Sequence, residues 1–176
     1  QIQFIYAMDF VTVDTMLGKR IYVFAVIYHK TREIVQFAIT ENPTREFVRQ
    51  QLMLLSERIT SKAYLIHDNA LMFNIDYLAY NVVSARTGVE APNMNSIMER
   101  FFMSVRRKAL DNFLLTGRTQ VQRILEEYVA FYNSQRPHQG IQQQIPKPGG
   151  SEKTGGAVRN SAVLGGLHHH YYRRAA

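Results

Sequence analysis

Apolar and polar positions follow two rhythms along this chain. From Phe4 to Val13 the residues are aromatic and β-branched, with the bias of a strand. A turn at Met16–Lys19 separates this run from Arg20–His29. That second run is almost continuously apolar, as expected of a strand covered on both faces. Lys30-Thr31-Arg32 is a second turn, and Glu33–Ile39 reads as a third strand. Three short runs joined by tight turns predict an antiparallel meander. The rhythm then changes to that of a helix, with Phe47, Leu52, Leu54, Leu55 and Ile59 close to a 3.6-residue period. Asn42 is placed to cap this helix and Pro43 to occupy its first position. Ala63–Ile66 is expected as a fourth strand and Asn81–Ala85 as a fifth, with a short helical stretch between them at 70–80. Two helices follow, from about Pro92 to Asp111 and from Arg118 to Asn133, with the break at Gly117. Past Ile145, Pro146, Pro148 and paired glycines predict a flexible basic tail over 147–176, leaving 1–146 as the folded domain.

Composition narrows the chemistry. At 176 residues, 46% hydrophobic and 20% charged, the chain has a single globular domain's worth of sequence. It has no cysteine, which excludes disulfides, thiolate metal sites and a cysteine nucleophile. No apolar run is long enough to cross a membrane. The net charge is +7, a balance that favours a polyanionic partner. The first residues, Gln1-Ile2-Gln3-Phe4, carry no signal pattern and read as the middle of something longer.

Three carboxylates stand out. Asp9 interrupts an apolar strand, where an unpaired charge costs several kcal/mol. Asp68 lies just past the carboxyl end of the fourth strand, where sites on α/β sheets gather, although a turn-capping role is equally open to it. Glu99 borders the core stripe of the third helix, on a face shared with Asn95, Met103 and Arg106. Asp14, by contrast, reads as a solvated turn residue. Facing carboxylates repel unless cations neutralise them, and Mg²⁺ takes such oxygen ligands. The sequence has no glycine-rich phosphate loop, and His168-His169-His170 has no convincing metal spacing. Carboxylate-bound magnesium is the sharpest reading left. Arg100, Arg106, Arg107 and Lys108 form a basic cluster on the Glu99 helix, suited to phosphate contact. Tyr132, Arg136 and His138 read as structural, and Asn95 as either a helix-start residue or a substrate contact.

Four stretches resemble the catalytic core of DDE transposases and retroviral-type integrases, bacterial insertion-sequence transposases in particular. They are Met8-Asp9-Phe10-Val11-Thr12-Val13-Asp14, Leu65-Ile66-His67-Asp68-Asn69, Asn93–Phe102 and Tyr132-Asn133-Ser134-Gln135-Arg136-Pro137-His138-Gln139-Gly140. The likeness covers roughly 4–146, and the closing Leu164-Gly165-Gly166-Leu167-His168 also resembles the end of such transposases. The resemblance implies a ribonuclease H-like α/β fold: a five-stranded mixed sheet, its first three strands antiparallel, flanked by helices. It implies Asp9, Asp68 and Glu99 as the catalytic, metal-binding triad, holding two Mg²⁺ or Mn²⁺ ions. Arg106 would contact DNA, with Asn95, Arg100, Arg107 and Lys108 as further nucleic-acid contacts. The expected activity is DNA cleavage and strand transfer on element ends and target DNA, by a homodimer or higher oligomer in the bacterial cytoplasm at the nucleoid. Helix-turn-helix arms that read the ends would be supplied from outside this sequence. A catalytically inactive DNA-binding or assembly module and a ribonuclease H-type nuclease are the alternatives. Two departures from the family pattern lie at the site edge. The Asp68–Glu99 interval is shorter than the family's commonest, and Asn69-Ala70 stands where many relatives have glycine.

Overall fold

The computed structural model describes residues 4–87, 95–149 and 155–173. Five strands form the main sheet: β1 (Ile5–Asp14), β2 (Arg20–Tyr28), β3 (Ile34–Thr40), β4 (Ala63–His67) and β5 (Val82–Arg86). Their order is β3-β2-β1-β4-β5. The first three pair antiparallel, while β4 and β5 join in parallel, so the sheet is mixed as expected. The parallel additions require crossovers. Helix α1 (Arg45–Ser56) supplies the first, and single 3₁₀ turns at Leu71–Phe73 and Leu78–Tyr80 fill the second. Helices α2 (Ser96–Lys108) and α3 (Arg118–Ser134) follow.

The period of two divides the core. Ala7 and Val13 of β1, with Ile21, Val23, Ala25 and Ile27 of β2, face α2 and α3. Met8, Phe24 and Val26 face the other way, onto Val48, Leu52 and Leu55 of α1. Both faces are therefore buried, which explains the unbroken apolar run of β2. Asp9, between Met8 and Phe10, takes its place on the α2–α3 face. Gly18 closes the β1–β2 turn at φ +74, a conformation that favours glycine, and its N–H donates to the Thr15 carbonyl at 3.0 Å.

Two expectations need correction. Thr44, not Asn42, caps α1: its Oγ1 accepts from the Phe47 N–H at 3.1 Å, and the helix begins at Arg45. Pro43 therefore lies outside the helix. Both residues carry capping chemistry, but only Thr44 precedes Phe47 by the three residues that an N-cap bond spans.

The segment expected to be a flexible tail is also partly folded. β6 (Val158–Val163) and β7 (His168–Arg173) pair as an antiparallel hairpin. Val163 and Leu164 at its bend are buried in the α2–α3 core. The Leu164 N–H donates to the Glu127 carboxylate of α3. His168 stacks flat on Phe131, with centroids 5.0 Å apart, and its Nε2 meets the Lys108 carbonyl at 2.6 Å. His168 is thus a docking residue for the hairpin. Of the helix expected to start at Pro92, the residues Pro92-Asn93-Met94 lie outside the described set. Among the described residues no helix is long and apolar enough to cross a membrane.

Candidate metal and DNA site

The register of the sheet sets the acids side by side. Ala7 of β1 pairs with Ile66 of β4 in the parallel ladder. Two residues further along the chain from each stand Asp9, within β1, and Asp68, just past the end of β4. Asp9 is held by two donors. The Phe10 N–H donates to its Oδ1 at 2.7 Å, and the Asn95 Nδ2 donates to its Oδ2 at 3.0 Å. Asp68 is half-buried, and its Oδ1 accepts from the Ala70 N–H at 3.0 Å, which tightens the turn after β4. The turn role and proximity to Asp9 therefore coexist in one residue. Glu99 sits in the first turn of α2, with its side chain exposed. That position places a negative charge at the positive end of the helix dipole.

The electrostatics tie the three together. Burial pushes the Asp9 carboxyl up to about 6, and the charges of Asp68 and Glu99 add to the rise. The Phe10 and Asn95 hydrogen bonds act in the opposite direction without cancelling it. An acid raised by burial and by neighbouring acids gains from a cation as it would from a proton. Among the described residues, however, no three acids or histidines converge as a closed metal-binding cluster. Glu90, the acid that precedes Glu99 in the sequence and the alternative third ligand, lies outside the described residues.

Asn95 is the residue whose role the sequence left open. It is only 6% exposed, and at the N-cap of α2 its side chain makes no capping bond. The amide is spent on Asp9, while its Oδ1 is buried without a hydrogen-bond partner. Asn95 thus positions Asp9, a role beside the nucleic-acid contact expected of it. Its orphaned oxygen beside the acids is the kind of group that a cation or its bound water satisfies. The donor set therefore fits a hard divalent cation.

The basic cluster is exposed along α2, and its members differ. The Arg106 guanidinium donates to the Thr12 carbonyl of β1 at 2.7 Å, which fixes it against the sheet. Arg100 bonds back to Ser96 of its own helix. Arg107 is solvated. The Lys108 ammonium is lowered chiefly by the nearby Arg136 charge. Asp14 is the expected solvated turn residue, paired with Arg20 at 2.7 Å.

His67 was missed as a supporting residue. It is fully buried, stacks on Tyr77 at 4.8 Å, and its ring nitrogens meet the Asp68 carbonyl at 2.7 Å and the Ser84 Oγ at 2.8 Å. Burial lowers its pKa, so the neutral ring fixes the backbone of Asp68. A polar residue closing an apolar strand was the available signal.

The ending motif is a scaffold. The Arg136 guanidinium donates to the Ser104 Oγ at 2.7 Å and to the Tyr128 hydroxyl at 3.1 Å, joining α3 to α2. His138 packs edge-on to Tyr132 at 4.2 Å and bonds the Tyr132 carbonyl. The Asn133 amide donates to the Ile34 carbonyl and accepts from the Ile34 N–H, both at 2.9 Å.

Comparison with known proteins agrees with this architecture. Residues 81–146 match the family described as integrase core domain. The catalytic domain of Mos1 mariner transposase superposes with a TM-score of 0.60 at 14% identity, over 72% of this chain and 69% of that one. The HTLV-2 integrase catalytic core domain, solved with magnesium in a dimeric form, gives 0.60 at 9% identity over 79% and 93%. A chain of the simian T-cell lymphotropic virus intasome in complex with the PP2A regulatory subunit B56 gamma gives 0.61 at 10% identity over 98% and 67%. No curated protein sequence matches the chain. Sheet order and flanking helices are those of these transposase and integrase catalytic cores, so the chain has their fold, and its residues 81–146 match the integrase core family.

Proposed function

We propose that this chain catalyses metal-dependent DNA cleavage and strand transfer, with Asp9, Asp68 and Glu99 holding two Mg²⁺ or Mn²⁺ ions. When bound, such ions supply Lewis-acid activation and charge neutralisation for in-line displacement at phosphorus. The chain's own residues prepare the place. Phe10 and Asn95 orient the Asp9 carboxylate, and the Ala70 N–H orients that of Asp68. Glu99, exposed on the first turn of α2, completes the set. Arg106, Arg100, Arg107 and Lys108 meet the DNA backbone from the same helix, which positions a strand without reading its sequence. The observation that carries this reading is the parallel register that brings Asp9 of β1 beside Asp68 after β4, with the Asp9 carboxyl raised to about 6 by burial and, to a lesser degree, by the charges of Asp68 and Glu99. The magnesium in the HTLV-2 integrase core and the dimeric and intasome forms of such neighbours support the choice of ion and a DNA-bound oligomer. A bacterial cytoplasmic, nucleoid-associated setting follows from the same reading.

The test is nicking and joining of labelled DNA in millimolar Mg²⁺ or Mn²⁺. Glu99→Gln keeps shape and helix propensity but loses the charge. It should lower cleavage at least about 100-fold, at the upper end of what removing even a supporting group at a metal site costs. Melting temperature in chelator and DNA affinity should stay unchanged. Near-normal cleavage by Glu99→Gln would move the third ligand elsewhere, with Glu90 next to be tried. A wild-type chain that folds and binds DNA yet never cuts it would establish the non-catalytic module.

A further inference from the structure

We infer that the carboxy-terminal hairpin and the β2–β3 turn form a second nucleic-acid site, one that holds unpaired single strand. It is separate from the acids, none of which lines it. A groove of about 1420 Å³ runs between the hairpin, the β2–β3 turn and the segment after α3. That volume exceeds the ~300–1,000 Å³ of a small-molecule pocket and suits a polymer. Its lining includes Lys30 from the turn and His170, Tyr171, Tyr172 and Arg173 from β7, and no carboxylate among the described residues.

The hairpin has the chemistry of a stacking platform. Residues 155–173 contain two arginines, three histidines and no acid. Tyr171 is 65% exposed and Tyr172 45%, although both are large aromatics on a short strand. The Tyr172 ring lies nearly parallel to His170, at 5.6 Å and 21°. Such rings offer flat faces to bases, which duplex DNA hides and single strand presents. Lys30 and Arg173 supply charges for the phosphates between the bases. A two-stranded hairpin is marginal by itself, and this one is held by Val163, Leu164 and His168 at its bend end. The anchoring leaves the Tyr171 and Tyr172 rings exposed at the other end, where the Arg173 guanidinium also donates to the Gly156 carbonyl across the hairpin.

The experiment is a fluorescence-anisotropy titration of the whole chain in chelator, so a failure of the cleavage reading leaves it unaffected. The probes are a labelled oligothymidylate of about 12 nucleotides and an abasic strand of the same length. Replacing both tyrosines (Tyr171→Ala with Tyr172→Ala) should weaken oligothymidylate binding about tenfold or more, from the loss of base stacking, and leave abasic binding unchanged. Lys30→Gln with Arg173→Gln should weaken both probes alike and lower the salt slope by about 1.4. Lys30 tests the groove without altering the β7 tyrosines. Arg106→Ala, whose guanidinium is turned to the Thr12 carbonyl of β1 and does not line the groove, should leave the tyrosine-dependent discrimination intact. The proposal falls if the tyrosine variant binds oligothymidylate like wild type, or loses both probes equally. It falls too if the tyrosine variant converts a dimer into a monomer in sedimentation, since the face would then be a contact between copies.

Discussion

Two polar regions lie on the same side of the sheet and are built on opposite terms. The Arg136 guanidinium is itself well partnered: two hydroxyls receive it, and the Tyr132 ring lies 5.6 Å beneath it. Around Asp9, burial and the charges of Asp68 and Glu99 hold the carboxyl above its ordinary range, and the Asn95 Oδ1 has no hydrogen-bond partner. The first region joins α2 to α3 and gains from being closed. The second forgoes stability, as residues kept for a function do. The lesson is that the most distinctive motif of the sequence serves the scaffold, while the proposed chemistry rests on single acids spread over three elements.

The contrast breaks most sharply at Arg136. Arg136→Ala removes two charge-assisted bonds and should cost about 2–3 kcal/mol in denaturant unfolding. Metal affinity should not change. Asp9→Asn should do the reverse. A carboxyl held more tightly to its proton in the folded chain favours folding below the ordinary 3.8, and loses that contribution as pH rises through about 6. At pH 8 in chelator, Asp9→Asn should therefore be more stable than wild type by roughly 2 kcal/mol, allowing for partial exposure. Below pH 4 the two should converge. Millimolar Mg²⁺ or Mn²⁺ should raise the melting temperature of wild type more than that of the variant. An equal rise in both would remove Asp9 from the ligand set.

Smaller effects sharpen the picture. Asn95→Ala should cost about 1 kcal/mol of stability and lower metal affinity about tenfold, read by calorimetric titration, because Asp9 loses its orienting donor. Arg106→Ala should change stability by only tenths of a kcal/mol. It should lower the slope of duplex affinity against salt by about 0.9, one phosphate contact. Binding that shows no salt dependence would contradict the role given to the α2 cluster.

Strands and helices were legible because their signals are local. β1 to β5 begin and end within two residues of the runs that predicted them, and Asp9 was conspicuous as a charge in an apolar strand. What escaped depends on distant partners. Nothing near Asn95 in sequence shows that its amide reaches 86 residues back to Asp9. The glycine pairs around 155 and 165 have the composition of a linker. The hairpin there is held by Phe131, Glu127 and Lys108, which periodicity within 158–173 cannot reveal. The two candidate N-caps before α1 differ only in which one the backbone presents to Phe47.

The Asn133 amide has a consequence beyond holding α3. β3 is an outer strand, and its backbone groups are a template on which another chain could add itself. By presenting one acceptor and one donor to Ile34, Asn133 imitates a neighbouring strand one residue long. A helix thus seals the start of an open sheet edge with a single side chain. An aspartate there would set a carboxylate oxygen against the Ile34 carbonyl, and the edge would be unguarded where a growing aggregate could take hold.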